Sequence, residues 1–239
     1  MAVNNRGSVL IFVLIFIAFA ASTVLLVNER STKSMEEASE DFYENQANIY
    51  AMTAMTAVVE ALRDDDNAYD SKQEDWALIP VIEVPYGYIS VDIKPVNGKI
   101  GINGLASKTE AMAARYMEAC NTIAAEMETD SLKCPVVKDY IDADLEVSMG
   151  GEEGFTYERN GVSFRTPNTP MNTLYELRLL MGNNEEFAKI KDYFTVYPTD
   201  NTININFANK LTLEAFLPEL SGYAEDIINY GKSQIYKDP

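Results

Sequence analysis

Polar and apolar positions change their period several times along the chain, and each change marks an element. From Val9 to Val27 every residue is apolar except Ser22 and Thr23. At about 1.5 Å per residue, a helix of this length just crosses a hydrocarbon core of roughly 30 Å. From Met35 the apolar positions fall on one face: Met35, Ala38, Phe42, Ile49, Met52, Met55, Val58, Val59 and Leu62 recur at helical spacing. Glu36, Glu37, Glu40, Asp41, Glu44 and Asn45 lie mostly between them, which makes the segment amphipathic. Neither Gly nor Pro interrupts residues 33–63, so the apolar helix runs straight into the amphipathic one. Asp64-Asp65-Asp66-Asn67 puts negative charge at the negative end of that helix and predicts its stop.

Alternation then replaces helical spacing. Ile89, Val91 and Ile93 alternate with Tyr88, Ser90 and Asp92, and Asn97-Gly98 offers a tight turn before Lys99-Ile100-Gly101-Ile102. This predicts a hairpin over 84–103. Helices are expected over 107–128, capped by Ser107 or Thr109, and over 135–142, 171–182, 184–194, 212–217 and 223–234. Gly182-Asn183-Asn184 separates two of them, and Pro218 ends another. One short sheet followed by a helical subdomain makes the class α+β. Repeats are absent, apart from a faint echo of Ile102-Asn103-Gly104-Leu105 in Ile205-Asn206-Phe207-Ala208.

Composition narrows what such a chain does. Its 239 residues carry a net charge of −18, which repels phosphate backbones and counts against nucleic acid as a partner. There is no histidine, which removes the commonest general base, the usual catalytic zinc ligand and Ser-His activation. No Ser-x-x-Lys, nucleophile-elbow or phosphate-loop pattern stands in for it, so no enzymatic activity is expected. Cys120 and Cys134 are the two cysteines. In an extracytoplasmic chain they favour a disulfide, the alternative being two buried thiols.

The apolar run follows Arg6-Gly7-Ser8, and Arg6 is the one charge before it. By the positive-inside rule Arg6 stays cytoplasmic and the acidic remainder crosses the membrane. A competing reading is an ordinary secretory signal cut after Ala18-Phe19-Ala20. Against it, the apolar stretch continues past that point through Val24, Leu25, Leu26 and Val27.

From Arg6 to about Leu220 the chain resembles the K-type minor pseudopilins of type II secretion. The resemblance rests on Arg6-Gly7-Ser8, Glu74-Asp75-Trp76-Ala77, Gly98-Lys99-Ile100-Gly101-Ile102-Asn103-Gly104-Leu105 and Lys138-Asp139-Tyr140-Ile141-Asp142-Ala143-Asp144. Further along it rests on Gly150-Gly151-Glu152-Glu153, Pro167-Asn168-Thr169-Pro170, Tyr175-Glu176-Leu177 and Ile203-Asn204-Ile205-Asn206-Phe207-Ala208. Pilins and pseudopilins at large carry Glu at the fifth position after the cleavage point. Cutting after Gly7 makes that position Phe12, and lacking the Glu is characteristic of the K-type member. A carboxylate at that depth is costly without a partner, and a subunit with none above it has no such partner.

The resemblance implies an α+β, pilin-like fold: a long N-terminal helix on a small antiparallel sheet, with an inserted, mainly helical, SAM-like subdomain. Its parts would be a leader (1–7), a transmembrane helix (8–30), the pseudopilin helix and sheet (31–104), the helical subdomain (105–220) and a C-terminal helix or tail (221–239). The family extends into closing strands of the pilin sheet; residues after 223–234 leave little for them, so either the sheet is smaller here or the gene product is short. Prepilin peptidase would cut between Gly7 and Ser8, and the new amine would be methylated. The protein would be single-pass in the bacterial inner membrane, with its globular part periplasmic. At the tip of the pseudopilus it would initiate or cap assembly for export across the outer membrane, alongside the I- and J-type minor pseudopilins and the major pseudopilin.

Family members bind calcium in the helical subdomain, and here Asp142, Asp144, Glu152 and Glu153 match the pattern. Gly151 stands where the family more often has Ala. Read by themselves, these residues form an acidic loop with Glu153 at the twelfth position from Asp142. Val147 replaces the glycine that an EF-hand needs at the sixth, so the loop is not an EF-hand. A solvated acidic loop is the alternative. Two other readings of the whole chain stand beside the pseudopilin: a secreted, non-enzymatic protein cut after Ala20, and a membrane-anchored DNA-uptake protein. The latter would use Asn204–Ala208, with Leu213 and Leu217, as the start of a helix-hairpin-helix module.

Overall fold

The structure is a computed structural model describing residues 6–65, 69–154, 166–198 and 201–237, with side chains from Val9 onward. It divides into two compact units, one of Met1–Asp65 with Ile79–Val91 and one of Asp66–Leu78 with Asp92–Pro239. Asp70 ties its segment into the second unit. Asn97 Nδ2 donates to its carboxylate at 2.7 Å, and Asn204 and Asn206 donate to its carbonyl.

In the first unit the apolar and amphipathic segments form one helix, α1 (Arg6–Arg63). The two polar residues of the apolar run are satisfied within it: Ser22 and Thr23 hydroxyls donate to the Ala18 and Phe19 carbonyls at 2.8 Å. The helix stops before Asp64 and Asp65; Asp66 and Asn67, the rest of the proposed stop signal, lie outside the described residues.

The hairpin falls earlier than the alternation predicts. Strands β1 (Ile82–Val84) and β2 (Gly87–Ile89) pair antiparallel, with Glu83 opposite Tyr88. Pro85-Tyr86 makes the turn, and Tyr86 takes a left-handed φ of 69°. Its ring sits edge-on to Tyr43 and Phe42 of α1, at 5.5 and 6.4 Å. Aromatic packing of this kind is worth about 1 kcal/mol per pair, comparable to the backbone strain it offsets.

The second unit is helical around one core. Asn97-Gly98 turns the chain, with Lys99 N–H donating to the Val96 carbonyl at 3.1 Å, but it closes no hairpin. A Cβ at Gly98 would collide with Phe207 and Ala208, so the glycine permits a close backbone crossing. Strand β3 (Ile100–Gly101) instead pairs in parallel with β4 (Phe194–Thr195). The helices are α2 (Glu110–Glu126), α3 (Cys134–Ile141), α4 (Leu174–Met181), α5 (Asn184–Ile190), α6 (Lys210–Phe216) and α7 (Ala224–Gly231). The helix expected over 184–194 stops at Ile190 because Phe194 and Thr195 enter the sheet.

Thr173 and Glu176 form a capping box at the start of α4, and Asn183 and Asn209 cap α5 and α6. Ile100, Ile102, Leu105, Ile123, Val137, Leu177, Ile190, Phe194 and Phe216 fill the core. Cys120 of α2 and Cys134, the first residue of α3, are joined as a disulfide within that core. Asn103, in the helical turn that follows β3, ties down two distant segments: its side-chain amide donates to the Met171 and Val196 carbonyls, and its side-chain oxygen accepts from Met171 N–H at 2.8 Å.

Candidate functional site

Helix α3 ends where the acidic loop begins. Its last turn carries Asp139, fully buried, and Asp142 follows at its C-terminus. The chain then runs outward, turns at Gly150 with φ 82°, and returns so that Glu153 is fully buried. Carboxylate oxygens of Asp142, Asp144 and Glu153 thereby lie within 4.8 Å of one another. Glu152 is not among them: it lines a separate hollow with Ser131, Lys133, Val136 and Leu180. Of the two adjacent glutamates, Glu153 alone reaches the cluster.

The cluster has more negative charge than the described residues neutralise. Glu153 Oε2 accepts from Thr166 Oγ1 at 3.1 Å and from Gly154 N–H at 3.3 Å, while its buried Oε1 has no donor among the described residues. Asp142 Oδ1 also has no donor among them, and Oδ2 has Lys138 Nζ at 3.3 Å as an ion pair. Burial pushes the Asp142 carboxyl above the usual carboxylate range. Lys138 opposes that shift, and the negative charges of Asp144 and Asp139 add to it. Three hard oxygen donors, with a buried oxygen left over, are the donor set that suits calcium. The residues present therefore fit such an ion.

Residues without a sequence-assigned role hold the loop in place. Asp144 Oδ1 accepts from Glu146 N–H at 2.8 Å, and Asn168 Nδ2 donates to the Asp144 carbonyl. Asn168 belongs to the Pro167-Asn168-Thr169-Pro170 motif, which was the available signal for it.

The segment Asn204–Ala208 does not offer an amide cradle for phosphate. Asn206 N–H donates to Asn204 Oδ1, and the Phe207 and Ala208 N–H groups donate to the Asn204 carbonyl. The Asn206 side chain is committed too, pairing with the backbone of Tyr236.

Gly7 and Ser8 lie in the first turns of α1, and residues 1–5 of the proposed leader lie outside the described residues. None of the apolar window of α1 is buried, and the helix is long and apolar enough to cross a membrane. Met52 and Met55, on the amphipathic part, stay about as exposed as the residues of the apolar run, at 72% and 71%.

Residues 98–199 match the family model described as "Type II secretion system (T2SS), protein K". The type II secretion system protein K of Pectobacterium carotovorum subsp. carotovorum is 25% identical over 241 aligned positions, spanning 92% of this chain and 73% of that protein. The Pseudomonas aeruginosa protein of the same name is 23% identical, over 95% of this chain and 72% of its own. A chain in the crystal structure of the GspK-GspI-GspJ complex from the enterotoxigenic Escherichia coli type 2 secretion system shares the fold. Its TM-score is 0.63 at 23% identity, over 75% of this chain and 69% of that one. The resemblance read from the sequence therefore holds: this chain is similar to type II secretion system protein K and has the α+β, pilin-like fold of the K-type minor pseudopilins.

Proposed function

We propose that this chain is the K-type minor pseudopilin of a type II secretion system, a structural subunit with no catalytic role. The observation that carries the reading is α1. An apolar stretch from Val9 to Val27, with no cover of its own, continues without a break into an amphipathic stretch whose Met35, Met52 and Met55 are also exposed. Such a helix is built to pack against other helices, first in lipid and then outside it. The natural occupants are the corresponding helices of I- and J-type minor pseudopilins, in keeping with the GspK-GspI-GspJ complex whose chain shares this fold.

In this reading the N-terminus is cytoplasmic, the apolar part of α1 spans the inner membrane, and the globular part of the chain is periplasmic. Prepilin peptidase cuts between Gly7 and Ser8, the new amine is methylated, and the major pseudopilin follows beneath. The subunit sits at the tip, where it initiates or caps assembly. Asp142, Asp144 and Glu153 hold a calcium ion, which supplies the positive charge that Lys138 alone does not.

Single cysteines introduced along residues 12–30, in cells that also hold the other pseudopilins, test the assembly. Helix-to-helix crosslinks with a periodicity of three to four residues are the expected result. N-terminal sequencing of the processed chain tests the anchor: Ser8 supports the reading, whereas Ala21 as the first residue refutes it.

A further inference from the structure

Asp139 does not join the carboxylates around Asp142, yet it is fully buried one helical turn before them. A charge so placed needs a task. Its two oxygens accept the Ser148 N–H, at 3.2 and 3.1 Å, which pulls the outer loop back onto α3. Lys138 Nζ donates to Ser148 Oγ at 2.9 Å and grips the same residue from the neighbouring position. Gly151 N–H donates to the Ser148 carbonyl at 2.8 Å, so the turn that follows hangs from the gripped residue. Gly151 then passes so close to Asp139 that a Cβ there would overlap Oδ2. Two residues later Glu153 enters the cluster with its buried, unpartnered oxygen.

We propose that Asp139 is a positioning residue for the cation centre: it anchors Ser148 and receives Gly151, and so fixes where Glu153 enters. This rests on Asp142, Asp144 and Glu153 being cation ligands. The carboxylate of Asp139 fills the space beside Gly151 that a Cβ would take, so in this chain an alanine at 151 has to displace it. Calcium accepts a flexible shell of oxygens, but a ligand arriving on a loop still has to be held beside the ion, and supporting residues of this kind change metal affinity by about 10–100-fold.

The test uses the full chain in detergent. Calcium binding is measured by calorimetry well below the melting temperature, and bound water is counted from terbium luminescence decay in H₂O and D₂O. Asp139→Ala is expected to weaken calcium binding by about tenfold or more, with the bound-water count unchanged. Asp139→Asn keeps an acceptor for Ser148 N–H and is expected to bind nearly as tightly as the parent. Gly151→Ala is expected to weaken binding in the parent but to add little to Asp139→Ala, because the obstructing carboxylate is gone. Should Asp139→Ala fail to fold, Asp139→Ser, whose side chain is too short to reach Ser148 N–H or to fill the space beside Gly151, carries the same comparison.

Unchanged affinity in Asp139→Ala, with a melting temperature lowered equally in chelator and in calcium, would mean a merely structural role and overturn the proposal. One extra bound water in both Asp139 variants would make it a ligand, which also overturns it. Additive effects of the 139 and 151 substitutions would mean that Asp139 does not act through Gly151, which overturns that part of the proposal. If the parent binds no calcium, the cation reading itself falls, and this inference with it.

Discussion

Lys138 Nζ sits 3.3 Å from Asp142 Oδ2, one turn apart on α3, and is the one cation recorded against the acidic cluster among the described residues. A single ammonium faces three carboxylates, two of them buried. The balance of charge there is the source of the first two predictions.

Chelation should destabilise the protein. An ion present at a hundredfold excess over its Kd adds about 2.7 kcal/mol, which for a chain of this size is roughly 5–10 °C of melting temperature. Thermal melts followed by circular dichroism, with calcium and with chelator, measure it. Coincident curves would count against a structural ion.

Lys138→Met should hurt the chelated protein more than the calcium-loaded one. Without Lys138 the buried Asp142 carboxylate loses its ion-pair partner, a loss of about 1–3 kcal/mol that a bound cation compensates. The gap between the two melting temperatures should therefore widen relative to the parent.

Acid sensitivity should have a component away from the cluster. Glu186 accepts from Ser131 Oγ at 2.7 Å, from Ser131 N–H at 2.8 Å and from Asn183 Nδ2 at 2.8 Å. The side-chain and backbone bonds from Ser131 hold its carboxyl below the usual glutamate value of 4.5. A depressed pKa means the stabilisation is present above the ordinary glutamate range and is lost as pH falls through the folded value. Glu186→Gln should lower the urea midpoint at pH 7 and make its decline toward pH 3 shallower, measured in chelator throughout.

Asn103→Ala should be among the more damaging small substitutions. It strands the Met171 N–H and removes a donor from both the Met171 and the Val196 carbonyls, at about 1–3 kcal/mol for a buried group left unpaired. Urea denaturation should show the lower midpoint with an unchanged slope.

Reduction should loosen the α2–α3 pair. The Cys120–Cys134 disulfide joins residues 14 apart, and the chain-entropy model gives about 3 kcal/mol for a loop of that length. Intact mass with and without reductant checks the bond; denaturation of Cys120→Ser/Cys134→Ser checks its contribution.

The sequence was most readable where the signal is local and repeated. The register of apolar side chains from Val9 to Leu62 is enough to give α1, since no Gly or Pro contests it. The sheet was misread for a local reason: Asn97-Gly98 is a good hairpin turn, whereas Pro85-Tyr86 depends on Phe42 and Tyr43, some forty residues earlier. Parallel pairing of Ile100 with Phe194 leaves no local mark at all. In the acidic loop, residue types gave the neighbourhood but not the phase, so Glu152 and Glu153 could not be told apart. Asp139 lay inside a recognised motif, yet its burial depends on how Ser148 and Gly151 fold back onto it.

Helix α1 has no glycine or proline from Ser8 to Arg63 and hence no place to hinge. It behaves as a lever about 84 Å long, so a tilt of ~10° at one end moves the other by roughly 15 Å. In the membrane-anchored subunit proposed above, small rotations of the apolar end therefore become displacements the size of a folded element at the other end of the helix.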